Sequence, residues 1–581
     1  MTGSRRRVIA LALFLAVVLG LAACTGVPSS SRPQAIQSLG LGEESSAPAR
    51  PPPNVDPRSL LSYFGEASQY ADQNFTAARQ YLSRDAQRAW STGTATVISN
   101  NPVISKWDSR TGDLQVEGRE IGTVNSAGVY QPSLYGVGDG APQSFKYRVQ
   151  MVGGQYRITS AYPGVLLTSD QFRDTFQQRV LYYVGPNSQL VPVPRFSALS
   201  QPTQVANWML AQLAANTQQP DVQAISANLD TVPAPARVSD DGDIAQVQIT
   251  GSSALPAAAR NVLAAQISQT LDGVISPSFF ELYDGRRPVN IPQAGGVRFR
   301  AQDFTALRGP PAPAADLYYV SPPSNQIRTA RGLALTGPVA RSVFRSIALA
   351  RPAAIGQLTI AGVQPTTSTT GTLVIGTQSG GVKPTSVRGV LSRPAWAPGR
   401  AEVWTAAGTT VYRVTTDGRS ATVHRVTVQL PFQASRVSAL RLSPDGSRIA
   451  MVISGASNSG QLFVGPVLRS STDVQVGKLV PVSPEGVLVK DAAWIDAVKL
   501  IVIGDVGSSG GPHVFTSYID GSGWAGGTTA GLPGPADTVT IANDARAWVS
   551  ADGDVWEQSA TGWSGPLRSG QTAGVAPVYL G

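Results

Sequence analysis

The apolar positions of this chain fall into successive, distinct patterns. An unbroken apolar run, Val8 to Leu21, follows three arginines (Arg5, Arg6, Arg7). A polar stretch rich in Ser, Pro and Gly extends from Thr25 to about Asn54. Apolar residues then recur at three- and four-residue spacing (Phe64, Ala67, Ala71, Phe75, Ala78, Leu82), which places them on one helical face. Shorter strand-like segments follow at Thr94–Ile98, Leu114–Val124, Phe145–Val152 and Gln155–Ile158. A helix followed by strands predicts a small α+β domain over 55–175.

A second α+β pattern spans 176–300. Strand-like Val180–Val184 and Leu190–Val193 lead to a helix over Thr203–Ala215 with Val205, Trp208, Met209 and Leu213 on its apolar side. Strands at Ala236–Val238 and Ile244–Ile249 precede a helix at Pro256–Leu271, with proline in the first turn, where its missing N–H costs nothing. Phe279–Tyr283 returns as a strand and Asp284-Gly285 turns it. Residues 301–315 read as a linker.

From Asp316 the helical spacing fades. Asp-Gly pairs recur at 417–418, 445–446, 520–521 and 552–553, each suited to the positive φ of a tight hairpin. Leu440–Ala450 reads as strand, Pro-Asp-Gly turn, strand; Arg393–Pro398 with Val403-Trp404, and Ala492–Asp496 with Leu500–Ile503, are weaker echoes. Four-stranded units of about 40–45 residues make a β-propeller, and 316–581 holds about six, with five or seven also compatible. The alternative all-β arrangement is an array of β-sandwiches. The expected fold is therefore multidomain: two small α+β domains followed by a propeller.

The start of the chain sets its compartment. Leu21-Ala22-Ala23-Cys24 at the end of the apolar run reads as a lipobox: signal peptidase recognises Leu21, Ala22 and Ala23, cuts before Cys24, and the Cys24 thiol carries lipid. The run of roughly 14 residues is too short to span comfortably, and no later stretch supplies the ~20 apolar residues a span needs. Cys24 is the single cysteine of the 581 residues. Once it is acylated no thiol is left for disulfides or nucleophilic catalysis. Each buried CH₂ contributes roughly 0.8 kcal/mol, so two or three acyl chains anchor firmly. Residues 24–54 form the tether, whose ~30 residues reach roughly 30 Å as a coil and further where prolines stiffen them. Loss of residues 1–23 lowers the formal charge from +9 to +6, and no dense Lys/Arg run follows, so nucleic acid is not an expected partner.

Little in the body suggests chemistry. His424 lies in a strand-like run beside Val426 and Val428 and reads as a packed or edge histidine; His513, after Gly510-Gly511-Pro512, reads as a solvated loop residue. There is no HExxH and no cysteine pair, so neither a metal nor a cofactor is expected. Gly504–Gly511 lacks both phosphate-loop spacings and a following helix, and reads as a hairpin loop. Asp240-Asp241-Gly242-Asp243 lacks the later Glu of a calcium loop and reads as an acidic turn. Ser550–Trp556 resembles a sialidase-type Asp box without its residue between Asp552 and Gly553, and reads as a blade hairpin. Trp396, Trp404, Trp494, Trp524, Trp556 and Trp563 are blade core or, alternatively, platforms that stack on sugars.

Taken in order, Cys24-Thr-Gly-Val-Pro28, Arg32–Ile36, Asp56-Pro57, Phe64–Ala67, Ala77–Leu82, Trp90, Leu190–Phe196 and Leu282–Val289 resemble the LpqB family of actinobacterial lipoproteins over nearly the whole chain. The family's usual Gly-Pro after the first helix of the second, GerMN-type domain is replaced here by Ala215-Asn-Thr-Gln-Gln-Pro220. The resemblance implies a non-enzymatic accessory of a two-component system of the MtrA–MtrB type. Such a protein acts on the extracytoplasmic portion of the MtrB-like sensor histidine kinase, in cell-wall homeostasis and division. No catalytic residue is carried over. A cell-wall polymer is the alternative partner.

Overall fold

In the computed structural model the described residues are 50–133, 142–185, 189–215, 222, 236–240, 243–308, 316–322, 324–455, 460–470, 473–484, 486–506, 513–542, 546–565 and 575–580. Cys24 and its recognition residues Leu21, Ala22 and Ala23 lie outside them. The first domain begins where Asp56 caps a helix, Pro57–Ala67, by accepting the amide hydrogens of Arg58 (3.0 Å) and Ser59 (3.1 Å). The single helical face expected over 64–82 is broken. Ser68 ends the first helix, its hydroxyl donating to Phe64 O at 2.7 Å, and a second helix runs Asp72–Arg79.

Two four-stranded sheets pack beneath these helices. One is ordered Val103–Ile104, Asp113–Gly118, Gln143–Val152, Gln155–Ser160; the other Tyr130–Pro132, Glu120–Val124, Ala95–Ile98, Val165–Thr168, with the last pair parallel. The expected strand Leu114–Val124 is therefore two strands in different sheets. In Gln143–Val152, Phe145, Tyr147 and Val149 face the core while Lys146, Arg148 and Gln150 face water, the period of two that one buried face imposes.

The second domain is built on Ile244–Ile249 and Phe279–Asp284, which pair in parallel, with helix Ala257–Leu271 as the crossover. Pro256 caps that helix instead of entering its first turn. The edge strand Ala236–Asp240 is closed by a side chain: Asn207, on helix Pro202–Ala215, accepts from Val238 N (3.0 Å) and donates to Val238 O (3.1 Å). The stretch expected as linker is part of this domain through Arg308. Ala301–Arg308 forms 3₁₀ turns, Phe304 is buried in the core against Phe299, and Gln293 Nε2 donates to Asp303 O. The aromatic side chain gives this segment a surface to bury, which its short polar neighbours do not reveal.

The C-terminal region is a β-propeller, and its described strands form six blades. Blade 1 is closed by the two ends of the region: Val575–Tyr579 is innermost, followed by Leu317–Ser321 and Gln326–Thr329. Blades 2, 5 and 6 are four-stranded sheets starting from inner strands Ser346–Ala350, Val487–Trp494 and Ala536–Ile541. Blades 3 and 4 start from Ala395–Trp396 and Arg436–Leu442, and are joined at their outer edges where Thr427–Val428 pairs in parallel with Gln475–Val476. Pairing a terminal strand with the opposite end of the region closes the ring and leaves no inner edge open. The Asp-Gly pairs all lie in connections between strands of a blade. Gly418, Gly446, Gly521 and Gly553 have φ between +68° and +86°, and Asp552 joins Gly553 in the left-handed region.

Candidate functional site

The inner strands of the propeller meet at one buried carboxylate. Asp491, on the inner strand of blade 5, is 3% exposed. Its Oδ2 accepts from Arg393 Nη2 (3.2 Å) and Val539 N (3.1 Å), and its Oδ1 from Arg441 Nη2 (3.2 Å). Arg393 also donates from Nη1 to Pro577 O (3.0 Å) and from Nη2 to Val539 O (2.9 Å). Arg393 immediately precedes blade 3, Arg441 belongs to blade 4, Val539 to blade 6 and Pro577 to blade 1. One acid and two arginines thus tie five blades together. Burial, reinforced by Arg441 and opposed by Asp491, lowers the Arg393 guanidinium to about 9.

A second ionic cluster bridges blades 3 and 4 further out. Glu402 accepts from Trp404 Nε1 (2.6 Å), from Arg413 Nη1 (3.2 Å) and from both Nη atoms of Arg469 (2.8 and 3.2 Å); the Arg469 guanidinium lies over the Trp404 ring. Burial works to raise this carboxyl. The hydrogen bonds and charge of Arg469, with Trp404 and Arg413, overcome it and hold the pKa below its ordinary value. Both clusters have their carboxylates saturated by donors, and this chemistry builds rigidity.

The three domains also meet polar group to polar group. Phe196 N donates to Gly128 O at 2.8 Å, and Tyr130, Phe172 and Phe196 form one aromatic cluster across the first two domains. Gly128 has φ +74°, and a Cβ there would stand 2.6 Å from Phe196 O. Arg448, at the start of the second strand of blade 4, donates from Nη2 to Pro192 O of the second domain (2.8 Å). In blade 5, a Cβ on Gly521 would stand 3.3 Å from Cγ of Pro132 of the first domain, and burial raises the pKa of the neighbouring Asp520 against the hydrogen bonds of Ser522.

The side chains singled out from sequence are distributed through the blades. His424 is half-buried on the fourth strand of blade 3, opposite Arg413. His513 opens the strand His513–Tyr518, half-buried and stacked on Phe515 (centroids 5.9 Å), so the loop reading is corrected: pairing with Gly504 draws it into the sheet. Residues 507–511 of the glycine-rich segment and Asp241-Gly242 lie outside the described residues. Their flanks pair antiparallel, Gly504 with His513 and Asp240 with Ala245, as hairpins do. Asp552-Gly553 is the turn between Ala547–Ala551 and Asp554–Ser559. Trp396, Trp404, Trp494 and Trp563 are buried and Trp524 and Trp556 half-buried between blades. Among the described residues no group of three or more His, Cys, Asp or Glu could hold a metal ion, and no helix is long and apolar enough to cross a membrane. Sequence reasoning missed Arg393, Arg441 and Asp491. None of the three stands in a pattern that marks it in the sequence: Arg393 precedes its blade's first strand, and Asp491 follows another charge, Lys490.

Two family profiles match the chain: "Lipoprotein LpqB, N-terminal domain" over residues 50–173 and "Lipoprotein LpqB beta-propeller domain" over 325–579. Lipoprotein LpqB of Mycolicibacterium smegmatis is 30% identical over 473 residues, covering 76% of this chain and 78% of its own. The protein of that name from Nocardia farcinica is 26% identical over 585 residues, covering 92% and 91%. Among solved structures, TolB from Acinetobacter baumannii superposes with a TM-score of 0.32 at 16% identity, over 48% of this chain and 69% of that one.

Proposed function

The chain belongs to the LpqB family of lipoproteins, and from that premise we propose that it is a non-enzymatic regulator held by lipid on Cys24 at the extracytoplasmic face of the cell membrane, where it contacts the outer domain of an MtrB-like sensor histidine kinase. The observation that carries this reading is the coupling of the folded body. Gly128–Phe196, Arg448–Pro192 and Gly521–Pro132 join all three domains, so a force or a contact at one is felt by the others. A coupled body on a tether of ~30 residues suits a protein that transmits binding, and confinement near the bilayer raises its effective concentration toward a membrane partner.

Mixing the purified mature chain with the purified outer domain of the kinase tests the contact. Binding at micromolar concentration is expected, and none at high micromolar concentration sinks it. The six propeller tryptophans singled out from sequence are buried or half-buried against blade cores, which favours the protein partner over the wall polymer.

A further inference from the structure

Ten large apolar side chains are exposed among the described residues, and four of them share one place in the propeller: Val343 (42%), Val390 (39%), Phe432 (52%) and Leu488 (40%). Val343 lies just before the inner strand of blade 2, and Val390 just after that blade's outer strand Gly381–Gly389. Phe432 lies between the outer strand of blade 3 and the inner strand of blade 4, and Leu488 is the second residue of the inner strand of blade 5. Chain entering successive inner strands always arrives on the same face of a propeller. Arg448 and Gly521, which meet the N-terminal domains, follow turns on the opposite face. Among the described residues, the apolar arc therefore lies on the face opposite the one that meets the N-terminal domains.

Phe432 is pinned there. Its φ is +40°, a conformation that a non-glycine residue keeps only where the surroundings enforce it. Its ring sits 6.0 Å from that of Phe463, and the loop is fastened by Ser435, which donates from N to Ser454 O (2.8 Å) and from Oγ to Gly455 O (2.8 Å). A half-exposed aromatic ring held rigid is the form that interface anchors take. Charge completes the description. The connections of this face in blades 2 to 4 (342–346, 366–370, 388–394, 408–409, 429–436) contain four arginines and no Asp or Glu. Arg393 is turned to the axis and Arg345 is engaged by the carbonyls of Thr367, Ser368, Thr369 and Thr370, while Arg388 and Arg436 are exposed.

We propose that this face of the propeller docks an extracytoplasmic protein domain whose contact patch is apolar and rimmed by acidic residues, with Phe432 as the anchor. The kinase is the expected source of that domain, which rests on the function proposed above. A second copy of this chain is disfavoured, because a two-fold contact would set Arg388 and Arg436 against their own counterparts.

The test uses the mature chain with Cys24→Ser and the purified outer domain of the kinase. Phe432→Ser with Val390→Ser is expected to weaken binding at least about tenfold, as loss of an anchor does, and Arg436→Glu to slow association. Leu333→Ser, at the most exposed large apolar residue among the described residues of the propeller (64%) but on the covered side's loops, is expected to change nothing. Binding unaffected by the first pair, or lost equally with Leu333→Ser, overturns the docking face and leaves the kinase contact standing. Should the two proteins fail to bind, a photo-crosslinking residue at 432 in whole cells separates the readings. An adduct with another identified envelope protein, lost with Arg436→Glu and not formed from position 333, supports the face and overturns the kinase reading. No such adduct overturns both.

Discussion

Arg393 and Asp491, 98 residues apart in sequence, meet at 3.2 Å on the propeller axis with both side chains almost wholly buried. A closed ring of blades has no hydrophobic centre of its own, since inner strands diverge from the axis and leave polar backbone facing it. Here that space is filled by one carboxylate and two guanidiniums, whose remaining donors take up the carbonyls of Val539 and Pro577. The pair closes the ring at the point where the last blade meets the first.

Removing one partner should therefore cost more than a surface ion pair does. Asp491→Ala leaves Arg393 and Arg441 without their acid, and breaking a buried pair in this way costs about 3–5 kcal/mol. Calorimetry should show the propeller transition lowered, while replacement of both Arg393 and Asp491 by apolar residues of similar size recovers much of the loss. A loss below about 1 kcal/mol, the range of exposed pairs, would show that the axis is wetter than its geometry implies.

Glu402 predicts an acid-side weakness. Its pKa is lower folded than unfolded, so the unfolded chain binds the proton more tightly. Its contribution is complete above the ordinary carboxyl value of about 4.3 and is lost as pH falls through the lower, folded value. Thermal midpoints measured between pH 7 and 3 should fall less steeply for Glu402→Gln than for the parent, at the expense of a lower midpoint at pH 7.

The positions that sequence could and could not reveal divide on a physical line. Leu440–Ala450 was legible because apolar alternation and a Pro-Asp-Gly turn are local, and the strands Arg436–Leu442 and Arg448–Ser454 formed around them. Repeat length bounded the blades at five to seven, and the described strands give six. Ser68 was not legible as a helix end, since the three- and four-residue spacing continues through it. Neither was Phe304, whose burial depends on Phe299 and the rest of the second core. Arg393 and Asp491 were hidden for the strongest reason: an ion pair assembled by ring closure has no signature at either of its sequence positions.

Gly128 offers a test of domain coupling. Its φ of +74° and the 2.6 Å approach of Phe196 O leave no room for a methyl group. Gly128→Ala should break the Phe196 N to Gly128 O hydrogen bond and loosen the first domain from the second without unfolding either core. Limited proteolysis would then cut between them, near residues 176–177, faster than in the parent. If the cleavage pattern is unchanged while overall stability falls, the residue supports a core and not a junction.

Cys24 is the remaining lever, and its prediction separates address from fold. The described cores are built from residues after 50, so Cys24→Ala is expected to remove the proposed lipid and leave those cores unchanged. The mature variant should melt at the parent's temperature, yet move from the membrane to the soluble extracytoplasmic fraction on cell fractionation. Signalling should drop with it, because a contact sustained by confinement loses its advantage when the protein diffuses freely; tethering alone can raise avidity by about 10²–10⁴. Restoring the anchor by a different lipidated leader should restore output. A soluble variant with full output at native expression would mean that the contact is tight enough to need no anchor.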